Sequence, residues 1–318
     1  MVKNPKKITS FVYNSVLLTS CSKHFGFLAP FFRLLWNSLC PRPVRTHIHG
    51  KKALINHNYT YPYTARRNPE FNNPLVELVH QSFLALKRPV SVVDVGAAVG
   101  DTVLLLDANC GSEVEIYYAV EGDSEFYGYL EANLGGMKKV ILHHAFLSSQ
   151  EGVESSLVRI HGGTSSAQGE EKTKAVPLDR LLLSSGPEHI DVLKTDLDGF
   201  DGKVLLGAKK ILQLYKPAVI FEWHPVLCEK TGNDYLLPFE FLKEQGYQKF
   251  VFFSKFGTFS HFMLDCDKDT MELLKKFCER SLVCPDWHYD VVALRSDSMV
   301  NSVQLAETAF ARAKKSCY

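Results

Sequence analysis

Two aspartates spaced two apart, Asp196 and Asp198, and a histidine, His224, follow closely on short apolar runs. They are the side chains of this chain best suited to take a proton from a hydroxyl. His224 is the first candidate, because an imidazole titrates near neutrality and this one lies just past the run Pro217-Ala-Val-Ile-Phe-Glu222. A positioned base typically adds about 10²–10⁴-fold to a rate. The alternative reading is that His224-Pro225 only shapes the exit of a strand. Asp196 and Asp198 point the same way on an extended chain, so together they orient a hydroxyl or bind a metal. No third ligand accompanies them, and no metal is expected. Another acid, Glu121, ends the apolar run Ile116–Val120. A carboxylate at that place suits the two hydroxyls of a ribose.

These groups need a scaffold that brings strand ends together. Ser91–Val95 is short, apolar and β-branched, as expected of a parallel strand covered on both faces. It ends at Asp94-Val95, and Gly96 and Gly100 then allow a sharp turn with close backbone approach to a ligand. Asp101-Thr-Val-Leu-Leu-Leu106 reads as a helix start with an acid near its positive end. A pyrophosphate site carries G-x-G-x-x-G, whereas this turn is Gly96-Ala-Ala-Val-Gly100, without the middle glycine. An adenosyl sulphonium carries no phosphates, so S-adenosylmethionine is the cofactor that fits. Gly96, Ala97 and Gly100 then approach its methionine portion, with Asp94 beside them. Glu121 holds the ribose, and Gly122 and Asp123 frame the adenine. His143, His144 and Ala145, at the end of the next strand, are read at the adenine edge, a packed histidine being the competing reading. Further on, Ile190–Asp198 is a strand ending in two acids. Phe200–Leu212 reads as one amphipathic helix capped by Asp201, with Val204, Leu205, Ala208, Ile211 and Leu212 on one face. Asp94, Glu121, Asp196 with Asp198, and Glu222 with His224 thus fall at the carboxyl ends of four strands, where open α/β sheets bind ligands.

The order D-V-G-A-x-x-G-D, x-V-E-G-D, K-T-D-x-D-G-F-D-x-x-V-L-x-G-A and I-F-E-x-H-P resembles that of the FkbM-type methyltransferases. Val140–Gly152 and His288–Leu294 are also similar, so the resemblance covers roughly residues 70–295. It implies a Rossmann-like class I methyltransferase fold: α/β, with a seven-stranded, mostly parallel sheet whose last strand runs antiparallel. It further implies S-adenosylmethionine-dependent O-methylation, in many members on sugar or natural-product hydroxyls. Ala98 stands where the family usually has Asn, and Asp198 where it usually has Glu, which shortens a side chain near the chemistry.

The chain of 318 residues is long enough for one large α/β domain with an appendage. The expected divisions are a basic, apolar segment at 1–58, a linker and helix at 59–89, the methyltransferase domain at 90–298 and a terminal helix at 299–318. Eight scattered cysteines form no C-x-x-C and read as free thiols in a reducing compartment. Residues 1–69 hold eleven Lys or Arg and no acid, which leaves 25 bases against 35 acids in the rest. The apolar residues among those bases are too interrupted for a spanning helix. Three readings compete for 1–58: an amphipathic segment on an anionic membrane surface, a targeting peptide, or elements packed on the core. The expected location is cytoplasmic, with the membrane surface among these readings. An acidic catalytic part repels phosphates, so no nucleic-acid partner is expected; the substrate is a small molecule or glycan. Tyr59–Asn73 reads either as a plain connector or as a lid over the cofactor, with Arg66 and Arg67 reaching an anionic substrate. His161–Lys174 reads as a polar surface loop. Two other classes stay open, a non-catalytic binding scaffold and a nicotinamide-dependent oxidoreductase. The segment Thr195-Asp-Leu-Asp198 differs from the Asp/Asn-Pro-Pro-Tyr/Phe signature that resembles base-amine methylases.

Overall fold

In the computed structural model the described residues are 7–17, 43–161, 164–280 and 287–308. The strands are β1 (Val44–Ile48), β2 (Lys51–Ile55), β3 (Val90–Val95), β4 (Val114–Glu121), β5 (Val140–His144), β6 (Phe146–Leu147), β7 (Gly152–His161) and β8 (Thr164–Val176), followed by β9 (Val192–Thr195), β10 (Ala218–Trp223), β11 (Tyr247–Ser254), β12 (Phe259–Met263) and β13 (Tyr289–Arg295). Eight of them form one sheet in the order β12-β11-β13-β10-β9-β3-β4-β5. From β5 through β10 every pairing is parallel, and β13, the last strand in sequence, runs antiparallel to β10 and β11. The seven strands that the resemblance implies are therefore present. An eighth, β12, turns back antiparallel on β11 and extends the edge.

The side-chain period of two splits the interior into two cores. Val92, Tyr117, Ile220, Val251 and Val292 face one cluster. Their neighbours Val93, Tyr118, Val219, Phe252 and Val291 face the other. The first core is closed by helices Asn73–Leu86, Asp101–Cys110 and Ser124–Leu134, and the second by Leu178–Leu183, Asp201–Leu206, Lys209–Leu214 and Leu237–Glu244. All six residues of β3 and all six of β10 are buried, as strands covered on both faces must be.

The chain runs outward from β3 to β4 and β5, then returns to place β9 on the other side of β3. That reversal makes a topological switch point at the carboxyl ends of β3 and β9, where such sheets open a crevice.

Three expectations change. Phe200–Leu212 is two helices, Asp201–Leu206 and Lys209–Leu214, although the five apolar residues assigned to its buried face are all buried. The Gly207 carbonyl accepts the Asp179 N–H at 2.9 Å, and the Asp179 carboxylate accepts from Lys210 and Ile211 N–H at 2.8 and 2.9 Å, so a distant residue starts the second helix. Asp201 is the first residue of its helix rather than its cap. His161–Lys174 is largely strand: β7 and β8 pair antiparallel. A ladder is made by backbone groups, which a polar composition conceals.

Part of the N-terminal segment is integral to the core. Val44, Ile48, Ala53 and Ile55 of the β1–β2 hairpin are buried in the first cluster, and Tyr13 meets Tyr63 edge-on at 5.6 Å. The apolar stretch Phe25–Trp36 lies outside the described residues. The terminal helix is described for 302–308; residues 309–318 lie outside. Among the described residues no helix is long and apolar enough to cross a membrane, and the thiols of Cys110, Cys228, Cys266 and Cys278 are buried.

Candidate active site

A cleft of about 1130 Å³, counting its open mouth, lies at the switch point. One wall is the β3 turn, with Val95, Gly96, Ala98, Asp101 and Thr102. Gly96 has φ +79°, and a Cβ there would stand 2.2 Å from the Asp196 carbonyl, so the β3 and β9 turns touch only because the residue is glycine. Ala97 and Gly100 do not line the cleft. Ala97 is buried, its N–H bonded to the Val120 carbonyl at 3.0 Å. Gly100 sets the turn into the following helix, where a Cβ would lie 2.7 Å from Leu134.

Glu121 and Gly122 form the second wall. Glu121 Oε2 accepts from Ala98 N–H and Oε1 from Asp123 N–H, both at 2.8 Å. Burial pushes its pKa up to about 7 against the pull of these donors. The carboxylate is thereby fixed in place before any ligand arrives. Asp123 itself does not line the cleft; its Oδ1 caps helix Ser124–Leu134 through Glu125 and Phe126 N–H at 2.8 and 2.9 Å. Ala145 lines the cleft, its N–H on the Glu121 carbonyl at 3.0 Å. His144 does not. It is exposed and stacks on Tyr127 at 4.5 Å, while His143 stacks on Tyr118 at 6.4 Å.

The third wall follows β9, with Lys194, Asp196, Leu197, Asp198 and Phe200. Lys194 and Asp94 are partners in the β3–β9 register, and Lys194 Nζ meets Asp94 Oδ1 at 2.9 Å with both side chains buried. Asp94 is committed to that pair beneath the cleft and does not line it. Desolvation raises its pKa while Lys194 opposes the rise. Lys194 Nζ also lies 3.4 Å from Asp196 Oδ2, whose side chain is 50% exposed. A smaller pocket of about 310 Å³ shares Asn72, Lys194 and Asp196 with the cleft and adds Glu222 and Asp290. Glu222 and Asp290 face one another across β10 and β13. Burial pushes Asp290 up to about 7 and Glu222 well above the carboxylate range, with neighbouring acids adding to both.

His224 lies away from both pockets. Its side chain caps helix Pro225–Lys230, Nδ1 accepting from Leu227 N–H at 3.3 Å, and it packs on His288 at 5.3 Å with 3% exposure. Its place is therefore the strand exit, the competing reading in the sequence.

The linker supplies the remaining wall, with Tyr59, Thr60, Tyr61, Thr64, Phe71 and Asn72. Tyr59 donates to Asp101 Oδ1 at 2.6 Å. Burial pushes the Asp101 carboxyl up to about 6, and the tyrosine bond holds it from rising further. Arg66 and Arg67 end helix Tyr61–Arg67, exposed and outside the cleft. Sequence reasoning left Asp101, Lys194 and Asp290 unassigned. The register Asp94↔Lys194 explains why: nothing near Lys194 in sequence marks its partner.

The arrangement suits a nucleoside with a non-phosphate tail. An immobilised carboxylate stands on one wall, a turn lacking the middle glycine of a pyrophosphate site on the next, and the free space continues to Asp196 and Asp198. Among the described residues no group of His, Cys, Asp or Glu forms a metal site.

Residues 94–249 match the FkbM methyltransferase domain. No curated protein matches the chain. Among solved structures, the FkbM methyltransferase of Methylobacillus flagellatus KT is 14% identical, with 51% of this chain and 40% of that chain covered and a TM-score of 0.37. The precorrin-6y C5,15-methyltransferase of Geobacter metallireducens GS-15 is also 14% identical, with 69% and 88% covered and a TM-score of 0.36. The fibrillarin pre-rRNA processing protein of Methanococcus jannaschii is 12% identical, with 77% and 78% covered and a TM-score of 0.38.

Proposed function

Because the chain carries an FkbM methyltransferase domain over residues 94–249, we propose that it is an S-adenosylmethionine-dependent O-methyltransferase acting on a hydroxyl of a sugar, glycan or natural product. One observation carries the reading: a single cleft holds the fixed Glu121 carboxylate at one end and Asp196 with Asp198 at the other. When bound, the cofactor supplies an electrophilic methyl group on a cationic sulfur. Glu121 accepts from the ribose hydroxyls, and the Gly96 turn leaves room for the methionine portion. Asp196 takes the base role first given to His224, since it lines the cleft and is half-exposed whereas His224 caps a helix. Its carboxylate receives the proton as the acceptor oxygen bonds to carbon, and Lys194 keeps it oriented from 3.4 Å. Asp198 orients the same hydroxyl. Alignment of donor and acceptor is worth on the order of 7–11 kcal/mol of barrier.

The deciding experiment incubates the full chain with methyl-labelled S-adenosylmethionine and an extract of the source cell, followed by mass spectrometry. Label recovered in an ether supports the reading. Label on carbon or nitrogen removes the O-transfer, and an unlabelled extract with no cofactor binding removes the reading altogether.

A further inference from the structure

Four aromatic rings meet at the cleft: Tyr59, Tyr61 and Phe71 of the linker, and Phe126 of helix Ser124–Leu134. Tyr59 lies 5.9 Å from Phe126 and stacks on Tyr61 at 6.5 Å with 18° between planes; Tyr61 meets Phe71 edge-on at 5.6 Å. The wall is anchored at both rims. Phe126 N–H is held by Asp123 Oδ1, and the Asp123 N–H is itself on Glu121. Tyr59 is held by Asp101, directly after the glycine turn. The sulfur of the donor is covalently placed between its ribose and its methionine chain. With those parts at Glu121 and at the turn, as the proposed function has them, the sulfur falls along the span that the rings bridge.

We propose that Tyr59, Tyr61, Phe71 and Phe126 form an aromatic wall that recognises the positive charge of the sulphonium and so favours the methyl donor over its neutral thioether product. The negative face of an aromatic ring attracts an organic cation. Methyl transfer removes that charge, so the wall loses its electrostatic hold on the product, which favours exchange for fresh donor. A stacking platform for adenine would make no such distinction, because donor and product carry the same adenine.

The test is calorimetric, on the full chain, with S-adenosylmethionine and S-adenosylhomocysteine as separate probes. In Tyr61→Leu and, independently, in the less buried Phe71→Leu, the preference for the donor over the thioether is expected to fall by about twofold to thirtyfold, the range from an exposed to a desolvated cation–π contact. Tyr61→Phe keeps the ring and is expected to keep the preference. Thioether affinity reports whether each variant is folded. If both leucine variants bind the thioether as the wild type does and keep its preference, the wall has no charge-reading role. Loss of affinity for both probes in equal proportion likewise overturns it in favour of plain stacking. A wild-type chain that binds neither probe overturns the cofactor assignment itself, a different failure from one in which both bind without distinction.

Discussion

The two long walls of the cleft handle their carboxylates in opposite ways. On the β4 side, both oxygens of Glu121 are taken by backbone N–H groups, and the donors belong to the turns that shape the cleft. On the β9 side, the buried amine of Lys194 holds Asp94 and Asp196, Glu222 lies among Asp196, Asp198, Asp201 and Asp290 with His288 Nε2 at 3.4 Å, and Glu222 Oε2 and Asp201 Oδ1 have no hydrogen-bond partner. A backbone-fixed carboxylate makes a rigid receptor, which suits a cofactor common to every turnover. A crowded acidic floor suits the proton exchange and the hydrogen bonds to a hydroxyl that the proposed function requires. Buried acids cost stability, so in that reading the cost falls mainly on the acceptor side.

The sharpest test of this contrast separates rate from affinity. Asp196→Asn is expected to lower turnover by about 10²–10⁴-fold while leaving S-adenosylmethionine affinity nearly unchanged, read by single-turnover kinetics and calorimetry. His224→Ala is the control: it removes a helix cap, which costs about 0.5–2 kcal/mol of stability, and should change turnover little once the protein is folded. A reversed pattern returns the base role to His224. Glu121→Ala should act on the other wall alone, weakening cofactor binding by roughly 1.5–3 kcal/mol in the same titration, and unchanged affinity would detach Glu121 from the ribose.

The walls also predict a pH response. Burial raises Asp101 to about 6 and Glu121, Asp201 and Asp290 to about 7. For a carboxyl raised on folding, its stabilising contribution is complete below the unfolded pKa, near 4, and is lost as pH rises through the folded value. The depressed carboxyls Asp267, Glu272 and Asp297 are already ionised below that range, whereas His49, His57, His143 and His261, lowered by burial, oppose the trend up to their unfolded value near 6.5. Thermal melts of the cofactor-free protein should therefore show falling Tm from about pH 6.5 to pH 8. Cofactor affinity should move the opposite way, since Glu121 must be ionised to accept from both ribose hydroxyls. A flat melting profile would mean that these acids are hydrated rather than buried.

The smallest effect concerns the β3 turn. Ala98 has φ 45° and Asp198 φ 49°, both left-handed. Aspartate tolerates that region better than longer side chains, which gives the departure at Asp198 a backbone reason, whereas alanine is poorly suited to it. Ala98→Asn should raise stability in denaturant titrations, by less than the roughly 1–2 kcal/mol that the left-handed region costs an ordinary residue, provided the new side chain leaves Glu121 in place.

Much of the scaffold was legible in the residues themselves. Val90–Val95, Val114–Glu121 and Ala218–Trp223 are strands where apolar runs predicted them, and helix Asn73–Leu86 lies within the stretch 59–89 expected to hold a linker and a helix. Of the proposed site, Gly96, Glu121, Gly122, Ala145, Asp196 and Asp198 line the cleft, while Asp94, Ala97, Gly100, Asp123, His144 and His224 support it or stand apart. The aromatic linker was legible as a lid only as one of two readings.

Local sequence thus determined that there would be a buried parallel sheet with acids at its strand tips, because a strand covered on both faces must be apolar throughout and must end where polar groups can meet water. Tertiary structure alone decided which acid faces the cleft. Asp94 turns to Lys194, 100 residues on, and Tyr59 reaches Asp101 across 42. Such partners are chosen by strand register and packing, which bring together groups that no local spacing connects.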